Sequence, residues 1–384
     1  MHALKSMDNP ASHYTVLARR FRPQTFDEVI GQQHVAQALK NAIAGGRVAH
    51  AYLFTGARGV GKTSMARIFA KALNGGAPEV DKAIMTGQDT DVIEIDGASN
   101  RKVEEARELI ANSIYRPLRG PYKIYIIDEV HMLTREAFNT LLKTMEEPPS
   151  HVKFILCTTE PQKVPPTIQS RCQRFDFRPI PTTRIADHLA EVIKREELEA
   201  EPELIHMVAR LGNGSMRDAL SLLDRVMAAG EKKLTLELLE SLLGLPQRDL
   251  LDQLIDAVGA GDAKAALESE GALLASGVTP EQLLESLAGR YRDLMVMAAC
   301  GPDTDLVDLA DDSRKADAAR IDRFDAAGLS HLIALCESVH RSARNSAAPR
   351  ALLDAAIVRM ALAERIADVT TLALSNGGPG PKKP

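Results

Sequence analysis

"AYLFTGARGVGKTSMARIFAKAL", residues 51–73, carries the signature from which the fold class is read. An apolar run, AYLFT, leads into Gly56-x-x-x-x-Gly61-Lys62-Thr63, and a stretch with helical periodicity follows. Strand, glycine-rich turn and helix in that order are the context that confirms a phosphate-binding loop of the Walker A type. Glycines let backbone N–H groups approach phosphate oxygens, and the helix N-terminus adds partial positive charge. Gly56, Ala57, Arg58, Gly59, Val60, Gly61, Lys62, Thr63 and Ser64 are therefore the expected nucleotide cradle. Within it Lys62 reaches the β- and γ-oxygens, and the Thr63 hydroxyl ligates Mg2+. A glycine-rich turn matching by chance is the competing reading, and the flanking strand and helix disfavour it. Such a loop says that a nucleotide is held, not what its energy does.

On either side of this stretch, short apolar runs alternate with helical patterns over residues 1–180. AYLFT (51–55), DVIEID (91–96), YKIYIID (122–128), KFILCTT (153–159) and QRFDF (173–177) read as strands. KTSMARIFAKAL, KVEEARELIANSI and REAFNTLLKTMEE between them read as helices, the last stopped by Pro148 and Pro149. Alternation of this kind predicts an α/β fold, a parallel five-stranded sheet with helices on both faces. After RPIPTT (178–183) the pattern turns wholly helical. Met216, Ala219, Leu220, Leu223 and Met227 share one face, with Gly230 as a stop. A second helical region begins near LGLPQRD (243–249), with Leu284, Leu287, Tyr291, Leu294, Leu353, Ile357 and Met360 as packing stripes. The Gly/Pro/Lys-rich end, LSNGGPGPKKP, predicts a disordered tail or the start of a linker.

In IYIIDEVH an apolar run delivers two carboxylates at its end. Asp128 sits where a Walker B carboxylate holds the Mg2+ hydration shell. Glu129, next along, points differently and can polarise an attacking water as general base. One carboxylate for the metal and one for the water means hydrolysis rather than binding alone. A polar strand end is the bland alternative, and the neighbouring Walker A loop weighs against it.

Composition narrows the class. The 384-residue length predicts two or three domains, and 45% hydrophobic with 26% charged residues is ordinary for a soluble globular chain. No run approaches the ~20 apolar residues of a membrane span. The start has no apolar stretch of the secretory kind. Cys157, Cys172, Cys300 and Cys336 are scattered without a CxxC pair, which predicts reduced thiols serving as small core fillers in the cytoplasm. Net charge is −5, yet residues 1–70 carry nine Lys/Arg against three Asp/Glu. That basic end is compatible with contact to polyanions, and it is also what a phosphate site alone produces.

The run DEVHMLTREAFNTLLKTMEEPPSHVKFILCTTEPQKVPPTIQSRCQRF (128–175) closely resembles the AAA+ ATPases of bacterial clamp loaders, of the DNA polymerase III gamma/tau type. LARRFRPQTFDEVIGQ (17–32) and GSMRDALSLLD (214–224) match the same family. The resemblance covers about residues 14–245 strongly, and the later helices only in character and length. It implies an AAA+ P-loop domain over residues 1–179, a helical lid over 180–243 and an all-α collar for oligomerisation over 244–370, with 371–384 a tail.

The resemblance also implies roles. Thr159 falls at the sensor 1 position, which places the lytic water. Arg217 falls at the sensor 2 arginine, which reaches from the lid to the γ-phosphate. Arg171, in SRC, falls at the finger that serves a neighbouring subunit's ATP. A planar guanidinium suits both arginine tasks, because it meets phosphate oxygens bidentately. Without the resemblance, exposed surface charge would be the reading of either arginine. The segment at residues 19–23, with Arg19 and Pro23 at its ends, resembles the family's box near the adenine. Arg101, Lys102 and Lys143 stand at positions that track the DNA backbone, where a solvated helix face explains them nearly as well.

The function this implies is that of an ATP- and Mg2+-dependent subunit in a ring with copies of itself and delta- and delta-prime-type subunits. That ring opens a sliding clamp and loads it on primer-template DNA, with no membrane involved. Two rivals are a different AAA+ enzyme, such as a branch-migration motor or initiator, and a catalytically silent clamp-loader subunit. The first needs a basic DNA-binding module at the C-terminal end, and no basic helical pair stands there. The second loses Walker A residues, and all are kept here. Two departures from the family's pattern matter. Many members carry a four-cysteine zinc module after the Walker A helix, whereas LNGGAPEVDKAIMTGQDTDVIEID here has no cysteine or histidine, so no zinc is expected. The chain also stops near where the longer tau product continues, so it resembles the shorter gamma form or a truncated piece.

Overall fold

The computed structural model describes residues 15–98, 115–230, 232–304, 306–307, 309, 311–344 and 346–363. The sequence-predicted helix at 102–114, Arg101, Lys102 and the tail at 371–384 lie outside the described residues. Two compact units are distinguished among them. One holds residues up to 197 together with 207–229, and the other holds 198–206 and everything from 230 onward.

The first unit is built on the strands expected from the apolar runs: β1 (Ala51–Thr55), β2 (Val92–Asp96), β3 (Lys123–Asp128), β4 (Val152–Thr158) and β5 (Gln173–Asp176). They form one sheet in the order β2-β3-β4-β1-β5, with every neighbouring pair parallel. Every residue of β1 and β4 is buried, as required of central strands covered on both faces.

Alternation along β1 sorts the side chains. Tyr52 and Phe54 enter the core shared with α2 (Gln33–Ala44), α3 (Lys62–Asn74) and α4 (Pro78–Thr86), alongside Leu39, Ile68 and Phe69. Ala51 and Leu53 enter the opposite core with Phe138, Leu141 and Met145 of α5 (Arg135–Glu146). Burying one such aromatic or aliphatic side chain contributes ~1.5–3 kcal/mol, so the two cores fix the sheet between its helices. Beyond β5 the first unit adds α7 (Thr182–Arg195) and α9 (Met216–Met227), which pack on each other. The short α6 (Pro166–Gln169) precedes β5, and α8 (Pro202–Leu211) lies between α7 and α9 in the chain.

Two expectations need correction, and one interval to which the sequence assigned no element holds a helix. The interval lacking zinc ligands contains a helix: α4 starts with Pro78 at its first turn, stops at Gly87 (φ 73°), and buries Ile84 and Met85. The stretch after 183 is not wholly helical, since Glu199–Ala200 (β6) and Lys233–Leu234 (β7) pair in parallel. Two-residue strands are too short to leave a periodicity in the sequence. In α9 the buried face is Ala219, Leu220, Leu223 and Val226, while Met216 and Met227 sit half-buried at its margin.

The second unit is helical. Leu284, Leu287, Tyr291, Leu294, Leu353, Ile357 and Met360 fill one core, as their spacing predicts, and Leu254 joins them there. The helices around it are α11 (Arg248–Gly259), α12 (Ala263–Ala275), α13 (Pro280–Cys300), α15 (Ala326–Ala343) and α16 (Pro349–Ala361). A buried ion-pair network runs beside that core. Arg290 donates to both oxygens of Asp317, each at 2.7 Å, and to Asp252 at 2.9 Å; Arg320 reaches Asp317 and Asp252 at 3.0 Å each. Burial alone would push Asp317 up, but the two guanidinium groups hold its carboxyl below the usual range. The cysteines are free; Cys157 and Cys336 are buried fillers as expected, Cys172 is half-buried, and Cys300 is exposed instead. No described helix is long and apolar enough to cross a membrane.

Candidate functional site

The sheet order creates the site. Strand β4 lies between β1 and β3, so three strand ends deliver the glycine-rich loop, the Asp128-Glu129 pair and Thr159 side by side. Ligands of open α/β sheets bind beyond the carboxyl ends of the strands.

The loop at residues 56–64 takes a shape only glycine tolerates. Gly56, Gly59 and Gly61 have φ of 144°, 76° and 103°. A Cβ on Gly56 would meet the Phe177 carbonyl oxygen at 2.4 Å, and one on Gly59 would meet Ser215 Oγ at 1.9 Å. The backbone is thus held bare and concave, and α3 starts at Gly61 with no side chain capping it. Its first N–H groups are left to face whatever occupies the cradle. Lys62 is 5% exposed and donates to the carbonyls of Gly56 and Ala57 at 2.9 and 2.8 Å. Burial pushes its ammonium below the ordinary value, opposed by the nearby Glu129 and Asp128 carboxylates. A buried ammonium resting on two neutral carbonyls is poised to turn to an anion.

Thr63 Oγ1 donates to Asp128 Oδ2 at 2.7 Å, which joins the two predicted metal-binding groups across the sheet. Burial raises the Asp128 carboxyl, the hydrogen bonds from Thr63 and the Glu129 N–H pull it down, and the Glu129 charge raises it again. A hydroxyl and a carboxylate, both hard oxygen donors, fit Mg2+ when phosphate and water complete its shell. Glu129 has φ of 45°, a left-handed turn that takes its side chain away from the line of Asp128. Its Oε2 accepts from the Thr159 N–H at 3.2 Å and the Thr159 hydroxyl at 3.0 Å. Strand β4 stops at Thr158, one residue before the predicted boundary, so Thr159 is the first residue free to bend toward Glu129.

A cavity of about 820 Å3 opens beside Thr63 and Ser64 and is lined by Arg19, Arg22, Pro23 and Arg217 among others. Arg217 is exposed on the first turn of α9, and its backbone N–H reaches the Gly59 carbonyl at 3.4 Å. Arg22 lies inside the segment 19–23 that the resemblance places near the adenine, although only Arg19 and Pro23 were named from it. Burial holds it below the ordinary guanidinium value, and the charges of Arg67, Arg217 and Arg19 lower it further, against the pull of Glu94. Arg67, which the sequence reading did not name, pairs with Glu94 at 2.6 and 2.8 Å. Its position one turn after Thr63 on α3 is the signal that could have found it. Arg20 turns away from the cavity to an ion pair with Glu196, and Phe21 meets the His188 ring edge-on.

Two predicted residues stand apart. Arg171 donates to the Thr167 carbonyl at 2.8 Å and to Glu146 at 3.0 Å; among the described residues none of its hydrogen bonds reaches the 56–64 loop. Lys143 is exposed on α5. His131 was also missed. It lies against Glu129, Thr158 and Glu160, and nothing in its local sequence pattern distinguishes it from a surface histidine.

Known proteins share this architecture domain by domain. Residues 31–181 match the family described as DNA polymerase III, delta subunit; residues 184–232 match the DNA polymerase III clamp loader subunit, ATPase lid domain. Residues 234–373 match DNA polymerase III subunits gamma and tau domain III. The chain is 44% identical over 311 residues to DNA polymerase III subunit tau of Escherichia coli, covering 77% of this chain and 48% of that protein. It is 38% identical over 363 residues to subunit gamma/tau of Mycobacterium tuberculosis, covering 90% and 62%. It is 40% identical over 281 residues to subunit gamma of Buchnera aphidicola, covering 71% and 78%. The chain thus spans about half the length of the Escherichia coli relative. With three consecutive domain matches and a relative covered over most of its length, the chain belongs to the family of DNA polymerase III gamma and tau subunits.

Proposed function

We propose that this chain is an ATP-hydrolysing motor subunit of a clamp loader, which opens a sliding clamp and loads it on primed DNA. The observation that carries the reading is the convergence of Lys62, Thr63, Asp128, Glu129 and Thr159 at three adjacent strand ends. Residues 56–64 hold the phosphates through backbone N–H groups, and Lys62 leaves the Gly56 and Ala57 carbonyls to meet the β- and γ-oxygens. Thr63 and Asp128 hold Mg2+, while Arg19, Arg22 and Pro23 line the nucleoside end.

Bound Mg·ATP supplies an electrophilic γ-phosphorus. Glu129 takes a proton from water as the water oxygen bonds to that phosphorus and the bond to the β–γ bridging oxygen breaks, leaving ADP and phosphate. Thr159 orients Glu129 and the water. Arg217 and, from a neighbouring subunit, Arg171 offset the charge on the γ-oxygens. The three-domain division at 179 and 243, the collar over 244–370, and DNA contact through Arg101, Lys102 and Lys143 belong to the same proposal. So do ring partners of delta and delta-prime type and a place in the cytoplasm.

The test is ATP hydrolysis by the purified chain, reconstituted with clamp and partner subunits, with and without primed DNA. Glu129→Gln should retain ATP affinity and trap a clamp-bound state, since only the base is lost. Lys62→Ala should weaken nucleotide binding itself. Equal nucleotide affinities for Lys62→Ala and wild type would sink the assignment.

A further inference from the structure

The imidazole of His131, on the turn after β3, is nearly enclosed, with 7% of its side chain exposed, and it lies between two carboxylates. Nδ1 is 3.4 Å from Glu129 Oε2 and 3.0 Å from Thr158 Oγ1. Nε2 is 3.2 Å from Glu160 Oε2, and Lys163 holds that same oxygen at 2.6 Å. Thr158 Oγ1 in turn accepts the Glu160 N–H at 3.0 Å. The ring therefore fills the space between the end of β3 and the segment following β4, touching both.

A surface histidine would not be held this way. Enclosure with a polar partner at each nitrogen fixes both the plane and the reach of the ring. The carboxylate oxygen it meets is Oε2 of Glu129, the one that also takes both hydrogen bonds from Thr159. Two hydrogen bonds from Thr159 and the contact with the His131 ring thus converge on Oε2, while among the described residues Oε1 of Glu129 accepts no hydrogen bond and can face a water. Removing the ring would free that carboxylate to rotate about its terminal torsion, where the barrier is low and the preference broad.

We propose that His131 is a positioning residue for Glu129, bracing the base carboxylate against Glu160 so that one oxygen stays aimed at the attacking water. The proposal rests on the reading of Glu129 as general base. His131 does not touch nucleotide or the reacting water; it acts through Glu129.

The experiment measures kcat, KM and nucleotide affinity for the full chain carrying His131→Ala, His131→Asn or His131→Gln, each checked for folding by thermal melting. Asn places an amide where Nδ1 stands and keeps the Glu129 contact. Gln places one where Nε2 stands and keeps only Glu160. His131→Ala should lower kcat roughly 10- to 100-fold, a part of the 10²–10⁴ that a positioned base contributes, with nucleotide affinity unchanged. His131→Asn should recover most of the loss and His131→Gln little. In a Glu129→Gln background His131→Ala should change nothing further, because coupled residues act as a unit.

Unchanged kcat in His131→Ala overturns the proposal. So does a parallel fall in nucleotide affinity, or an undiminished His131→Ala effect when Glu129 is already replaced. If His131→Ala does not fold, the Asn and Gln variants decide, and equal activity in the two overturns it. Wild-type hydrolysis insensitive to Lys62→Ala and Glu129→Gln would instead defeat the functional reading itself, and this inference with it.

Discussion

Replacing Arg171 by Ala separates what this side chain does for its own fold from what it does for a neighbour. In its own subunit the guanidinium holds one carbonyl, that of Thr167, and one carboxylate, that of Glu146. The two charged side chains are 34% and 56% exposed, so water and salt screen the pair. Exposed pairs of this kind contribute ~0–1 kcal/mol, and for a domain of this size 1 kcal/mol moves the melting temperature by roughly 2–4 °C. Arg171→Ala should therefore melt within a few degrees of wild type and bind ATP normally. Its effect on hydrolysis should be far larger. An arginine finger contributes roughly 10³–10⁵ in well-studied GTPases. With Lys62, Mg2+ and Arg217 already offsetting charge, a loss on the order of 10²–10³ is expected in the assembled ring.

The assay mixes two inactive variants, Lys62→Ala and Arg171→Ala, and follows DNA-stimulated ATP hydrolysis. Some interfaces in mixed rings pair an intact loop with an intact finger, so partial recovery supports action between subunits. No recovery, with mixed assembly shown by crosslinking, would rule out a finger acting across the interface. It would place Arg171 in its own subunit's site or outside the chemistry.

Burial and ligand chemistry give two further expectations. Glu270, on α12, is 1% exposed, and burial followed by the adjoining Asp354 carboxyl pushes its pKa up to about 8. Since the folded value lies above the unfolded one, the fold keeps a proton that the unfolded chain loses, and stability falls as pH rises from about 4.5 toward 8. Glu270→Gln should thus stabilise the protein by on the order of 1–3 kcal/mol near pH 8.5 and by little near pH 5, read by urea unfolding at both. Equal gains at the two pH values would remove the burial argument. Chelator-washed protein should hold no stoichiometric zinc and melt unchanged, because the interval between Asn74 and Asp91 offers neither thiolate nor imidazole. Metal analysis finding one zinc per chain would overturn this.

Much of the fold and of the site was legible in the residues themselves. Strand runs such as AYLFT and KFILCTT, the helical face of α9 and the packing stripes after 280 are local patterns, and local backbone preferences enforce them wherever the chain goes. The glycine-rich loop is legible for the same reason: positive φ at Gly56, Gly59 and Gly61 is a property of three neighbouring residues. Short-range signals also ran out at identifiable points. Two-residue strands β6 and β7 have no period to detect, and α4 hides in a polar interval where two buried residues, Ile84 and Met85, carry its packing.

Most of the elements, the phosphate loop and the carboxylate pair are thus written in short stretches of the chain. The order β2-β3-β4-β1-β5 is not, and it supplies the partners that make a site of them. Thr63 meets Asp128 across 65 positions, Thr159 meets Glu129 across 30, and Arg67 meets Glu94 across 27. Arg22, His131 and the Arg290–Asp317 pair likewise acquire their surroundings only in the folded chain. The physical reason is that periodicity and turn chemistry act over a few residues, whereas a side chain's charge environment is set by whatever packing brings beside it from elsewhere in the chain.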